Sequence, residues 1–133
     1  MSAFRTEIDV RFGDLDPMGH VNHAAYAGYL EQSRARYYDA VIGTAMEEVD
    51  VVVAHLEIDY MRPIGFRDAI EVHLEVSAIG ESSVPMDYEV YVDGELAATA
   101  RTVQVIVDPE TGEGRPVPDA IADPIAEYHG IQR

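Results

Sequence analysis

Residues 24–43 read AAYAGYLEQSRARYYDAVIG, and the reading of this stretch decides the fold. Tyr26, Leu30, Ser33, Tyr37 and Val41 recur at spacings of three and four, while Glu31, Arg34, Arg36 and Asp39 fall largely elsewhere. That period predicts an amphipathic helix of about five turns, from Ala24 to near Ile42. Asn22 stands where a helix is capped by a side-chain oxygen, and Gly43 where a helix ends on a residue free to turn left-handed.

On both sides of this helix the period is two. Upstream, Phe4, Thr6, Ile8, Val10 and Phe12 alternate with mostly charged residues, which predicts a strand over Phe4 to Phe12. Downstream, VVVAHLEIDYMRP at 51–63 reads as a long strand that Pro63 stops and Gly65 and Asp68 turn. AIEVHLEVSAIG at 69–80 puts Ile70, Val72, Leu74 and Val76 on one face. In the segment 83–108, Asp93-Gly94 is a two-residue hairpin signal, and Pro85 marks an irregular strand start or an edge. After the turn-rich PETGEGRPVP, Asp119 to Tyr128 is predicted as a short closing helix. The order is strand, long helix, four antiparallel strands. One helix among so many strands is buried most economically by a twisted antiparallel sheet that wraps around it. Residues 1–133 show no internal repeat and no linker, so they read as a single domain.

Composition narrows the function. Twenty-five acidic residues face nine basic ones, every one of them arginine, for a formal charge of −16. Such a surface repels polyanions, so neither nucleic acid nor an anionic membrane is an expected partner. Acidity spread through every segment, with no lysine, points to a halophilic protein whose self-repulsion concentrated salt screens. There is no cysteine, hence no disulfide, thiolate zinc site or cysteine nucleophile. No apolar run spans a bilayer and the first residues are not a signal peptide, so a soluble, cytoplasmic protein is expected.

The turn before the helix is chemically dense. RFGDLDPMGHVNHAAY at 11–26 holds Asp14, Asp16, His20 and His23 among Gly13, Pro17 and Gly19. These residues resemble the signature of the 4-hydroxybenzoyl-CoA thioesterase family and its YbgC-like acyl-CoA thioesterase relatives. YMRPIGFRD at 60–68 and GRPVPD at 114–119 are also similar to that family. The resemblance implies a hot-dog fold, α+β, with a long helix wrapped by a five-stranded antiparallel sheet. It further implies an acyl-CoA substrate, no cofactor, and a homodimer or homotetramer with the active site at the interface.

By that resemblance Asp16 is the catalytic carboxylate, either attacking the thioester carbon or activating a water that does. The adjoining helix N-terminus favours its negative charge, and first-turn amides around His23 to Tyr26 are candidate oxyanion donors. His23 is a supporting catalytic residue that orients Asp16, holds water or protonates the leaving thiolate. Asp14 is expected to fix the turn, and His20 to pack or face solvent. Asn22 is foremost a cap and secondarily a substrate contact. Tyr26 is a candidate for the acyl pocket. Arg62 and Arg67 are candidates for the CoA phosphates, with Arg101 and Arg115 behind them. Metal ligation by Asp14, Asp16, His20 and His23 is disfavoured, because these residues straddle a turn. Two other classes remain in view: a hydratase of the same fold, which the motif fits poorly, and a non-catalytic module that binds acyl thioesters or assembles.

Overall fold

Alternating apolar residues can bury one face of a strand only against something apolar, and here that partner is the helix. The computed structural model describes residues 3–132. The strands are β1 (Phe4–Ile8), β2 (Val51–Tyr60), β3 (Ile70–Glu75), β4 (Ser83–Val92) and β5 (Glu95–Ile106). They form one antiparallel sheet in the order β1-β3-β4-β5-β2. The long helix α1 (His23–Tyr37) and the short α2 (Asp119–His129) complete the structure. The inner face of the sheet buries Val72, Leu74, Met86, Tyr88, Val90 and Ile106 in one cluster with Tyr26, Tyr29, Leu30 and Tyr37 of α1. This is the predicted helix-in-sheet arrangement.

The helix caps are as expected. Asn22 Oδ1 accepts from Ala24 N–H at 2.8 Å. At the far end, Tyr38–Ile42 widen into a π-turn closed by Gly43, whose N–H reaches Tyr38 O at 2.7 Å with φ 86°. Asp93 and Gly94 both have positive φ, 50° and 83°, as the tight β4–β5 hairpin requires.

Three local expectations need correction. β1 ends at Ile8, because its partner β3 begins there (Ile8↔Ile70), and Phe12–Asp14 instead coil into a 3-10 turn. β4 is an interior strand, although at Pro85 it pairs with β5 alone, since β3 already ends at the Glu75↔Asp87 pair. Arg34, read as part of the polar face, is buried.

β2 is an edge strand: one side pairs with β5 and the other with no strand of this chain among the described residues. Its apolar residues change parity midway, from Val51 and Val53 to Leu56, Ile58 and Tyr60. A bulge between Val53 and His55 absorbs the change. All five therefore stand opposite inward-facing positions of β5, from Ile106 through Gln104, Thr102 and Ala100 to Ala98.

Candidate active site

The chain enters α1 through a loop that its own aspartates shape, each in a different way. Asp14 is buried, and its Oδ2 accepts from Arg11 N–H at 2.9 Å and from the Tyr29 hydroxyl at 2.8 Å. Burial alone would raise its pKa, but these two bonds and the nearby Arg11 guanidinium outweigh it and hold the carboxyl below its usual value. Asp14 is thus placed as the expected turn-fixing residue, its Oδ2 taken by two hydrogen bonds and its Oδ1 3.6 Å from Arg11 Nη2.

Asp16 sits half-buried in the same loop. Its Oδ1 accepts from Met18 N–H at 2.9 Å and His20 N–H at 3.1 Å, while its backbone pairs with His20 and Gly19. Its Oδ2 carries no hydrogen bond among the described residues. One oxygen holds the turn and the other is left available. The two uses of an aspartate in a turn, structural and chemical, coexist in one carboxylate.

Asp16 lines a cleft of about 310 Å³ with His20, His23, Tyr26, Tyr60, Met61 and Arg62. His23, the first residue of α1, is exposed and stacks on the Tyr60 ring at 4.0 Å. The Tyr60 hydroxyl donates to His23 O at 3.1 Å, and its ring meets that of the buried Tyr26 edge-on at 4.8 Å. Burial raises the pKa of Tyr26, with Tyr60 adding to the shift, so its phenol stays protonated. In the first turn, Ala24 N–H is taken by the Asn22 side chain and Ala25 N–H by Asn22 O at 2.9 Å. The His23 N–H has no acceptor among the described residues, and it lies at the positive end of the helix dipole.

The structure thus brings Asp16, His23, Tyr26 and Arg62 together and leaves two expected residues outside the cleft. Asn22 is occupied as the cap. Arg67 stands apart, its guanidinium 5.7 Å from the Phe66 ring centroid. Arg62 itself pairs with Glu95, Arg101 with Asp87, and Arg115 Nε donates to Val107 O. Sequence reasoning did not single out Tyr60. Strict alternation from Val51 would turn it outward, and only the bulge between Val53 and His55 makes it the last inward position of β2 before Met61 and Pro63. His20, expected to pack or face solvent, is both exposed and a wall of the cleft. Among the described residues no group of three or more His, Asp or Glu side chains is placed to hold a metal.

Comparison with known proteins gives this geometry its context. The thioesterase-like superfamily model matches residues 10–125. A solved structure titled as a thioesterase complexed with coenzyme A and Zn, from Thermus thermophilus, is 38% identical, with each chain covered in full and a TM-score of 0.89. The acyl-CoA thioester hydrolase YbgC of Escherichia coli O157:H7 is 28% identical over 96% of both chains. The 1,4-dihydroxy-2-naphthoyl-CoA hydrolase of Synechococcus elongatus is 27% identical over 92% of this chain and 95% of its own. With its helix wrapped in a five-stranded antiparallel sheet, the chain has the hot-dog fold and belongs to the thioesterase-like superfamily.

Proposed function

We propose that the cleft hydrolyses acyl-CoA thioesters, with Asp16 Oδ2 as the reacting carboxylate and the His23 N–H as an oxyanion donor. The observation that carries this reading is the pairing of an uncommitted carboxylate oxygen with an uncommitted helix N-terminal amide around one cleft. The thioester carbonyl oxygen sits on the amide, which stabilises the charge that develops as the carbon becomes tetrahedral. Asp16 either takes a proton from the water that attacks this carbon, or attacks it directly to give an anhydride that water then cleaves. In both routes the carbon–sulfur bond breaks and CoA leaves as its thiolate.

His23 contributes its amide first and its imidazole second. Tyr60 is a positioning residue, holding His23 through the ring stack and the hydrogen bond to its carbonyl. Tyr26 lines the acyl side of the cleft. For the CoA phosphates, Arg67 is better placed electrostatically than Arg62, because it has no carboxylate partner among the described residues, whereas Arg62 is held by Glu95. Asn22 acts through the cap that fixes the first turn.

Further parts of the reading concern the setting. The open edge of β2, with Val52, Val53 and Leu56 exposed, supports a homodimer, or a homotetramer built from two. A CoA thioester substrate implies a cytoplasmic protein, and the lysine-free acidic surface a halophilic one. The Asp16 Oδ1 bonds to two loop amides favour a second reading, a binding module in which this aspartate is only structural. Thiol release from short, medium, long and aromatic acyl-CoAs, measured in molar salt and in dilute buffer, separates the two. Turnover of at least one class is expected; folded protein that binds these esters and cleaves none of them would establish the module instead.

A further inference from the structure

Five tyrosines are buried in the core, and three of their hydroxyls are paired. Tyr29 Oη donates to Asp14 Oδ2 at 2.8 Å, Tyr37 Oη shares a hydrogen bond with His129 Nε2 at 2.8 Å, and Tyr88 Oη shares one with Thr102 Oγ1 at 2.7 Å. The hydroxyls of Tyr38 and Tyr26 have no hydrogen-bond partner among the described residues. Tyr38 opens at the far end of α1, on a cavity lined by Met46 and Val49. Tyr26 stands at the reactive end. It is 2% exposed, yet the only wholly buried side-chain nitrogen or oxygen without a partner, among the described residues, is Gln104 Oε1. Tyr26 Oη therefore reaches open space, and the space that Tyr26 lines is the cleft of Asp16 and His23.

Helix geometry fixes where this phenol lies. Tyr26 follows His23 by three residues, so the two share one face of α1. Long helical side chains lean toward the N-terminus, which sets the Tyr26 ring over the turn that carries the free His23 amide. The Tyr60 ring, stacked on His23 at 4.0 Å, meets Tyr26 edge-on at 4.8 Å and holds it there. Burial keeps the phenol protonated, so it has an O–H to donate. The apolar part of the wall is Val21, Met61 and Pro63, whose side chains offer that O–H no strong acceptor. A bond to Asp16 would use the carboxylate oxygen that the chemistry needs, and the structure does not make one.

We propose that Tyr26 Oη is a specificity determinant: the cleft takes acyl groups that carry an oxygen near the thioester, and this hydroxyl hydrogen-bonds to it. The oxygen is a hydroxyl or keto group on an aliphatic chain, or a hydroxyl on a ring joined directly to the carbonyl. With the thioester oxygen on the His23 amide, three residues of helix rise, about 4.5 Å, put the phenol within a few bonds of the carbonyl carbon. A plain alkyl or aryl group in the same place would strip water from Oη and return no hydrogen bond. Sites that bond a substrate oxygen reject the analogue lacking it far more strongly than an apolar pocket rejects an extra methylene. The inference rests on the thioesterase reading of the cleft and goes beyond it by naming the acyl class.

The test uses matched pairs of CoA esters that differ by one oxygen: hexanoyl with 3-hydroxyhexanoyl, and benzoyl with 2- and 4-hydroxybenzoyl. The readout is the ratio of kcat/KM within each pair, which does not depend on how much of the protein is folded. For the wild type, at least one pair is expected to favour the oxygenated ester by at least about tenfold, and which pair does so tells chain from ring. Tyr26→Phe keeps the ring and removes the hydroxyl, and should bring that ratio to within about threefold of one. A wild type indifferent to the oxygen in every pair would overturn the proposal, even if Tyr26→Phe fails to fold. A Tyr26→Phe variant that slows both members alike would overturn it too, because the ratio would survive and the role would be structural or generally catalytic. Should no ester be cleaved, the thioesterase reading falls and calorimetric binding of the same pairs decides this one. A preference in affinity that Tyr26→Phe erases would sustain it, and equal affinities, or no binding, would overturn it.

Discussion

At the C-terminal end of α1, Tyr37 Oη and His129 Nε2 share a hydrogen bond of 2.8 Å, both residues fully buried. Gly43 closes the last carbonyls and α2 lies alongside through Ile121, Ala122 and Ile125. At the N-terminal end of the same helix, polar groups are left open: one amide of the first turn, one oxygen of Asp16 and an exposed imidazole. The helix is finished at one end and unfinished at the other. Stability is expected to reside where polar groups are paired, and chemistry where they are not.

Substitutions at the two ends should therefore separate rate from stability. Asp16 itself apart, the largest effect is expected from His23→Pro. The first helical position tolerates proline, and Asn22 already has the extended backbone a following proline demands (φ −62°, ψ 140°), so the fold should survive. The proline removes both the free amide and the imidazole, and kcat should fall by about 10²–10³-fold. His23→Ala keeps the amide and should lose less than about tenfold. Equal losses in the two variants would move the oxyanion site elsewhere.

At the closed end, Tyr37→Phe strands a buried imidazole and should cost about 1–3 kcal/mol in denaturant unfolding, with turnover unchanged. Asn22→Ala lies between the two regions. Loss of the cap should cost about 1 kcal/mol, accompanied by a loss of turnover that Tyr37→Phe does not share. The smallest effect is that of pH on the closed end. Burial lowers the pKa of His129 from 6.5, partly offset by Glu75, so the unfolded chain binds the proton more readily. Its contribution to stability is complete above pH 6.5 and is lost as pH falls below that value. Asp14 adds a second loss further down, below its unfolded value of 3.8. Acid titrations of wild type and His129→Gln, monitored by thermal unfolding, should diverge first in the upper window.

Much of this contrast is legible in the sequence. The 3.6-residue stripe of α1, its cap at Asn22, the Asp93-Gly94 hairpin and the density of the 11–26 turn all follow from local chemistry. Three features do not, each because it depends on tertiary contacts or on strand register. Arg34 sits on no apolar stripe, and its burial follows from Tyr88 of β4 facing it across the core. Tyr60 joins the cleft only because a bulge resets the parity of β2. The division of labour between Asp14 and Asp16 depends on Tyr29, in the second turn of α1, reaching back to one carboxylate and not the other.

That division can be tested directly. Asp14→Asn and Asp16→Asn, compared in one CoA-release assay and one thermal melt, should fail in opposite ways. Asp16→Asn should keep a melting temperature near that of the wild type and lose turnover by about 10²–10⁴-fold. Asp14→Asn should melt lower, by about 1–3 kcal/mol of lost stability, and keep turnover per folded molecule. An Asp16→Asn protein that remains active while Asp14→Asn is folded and inert would contradict the assignment of both carboxylates.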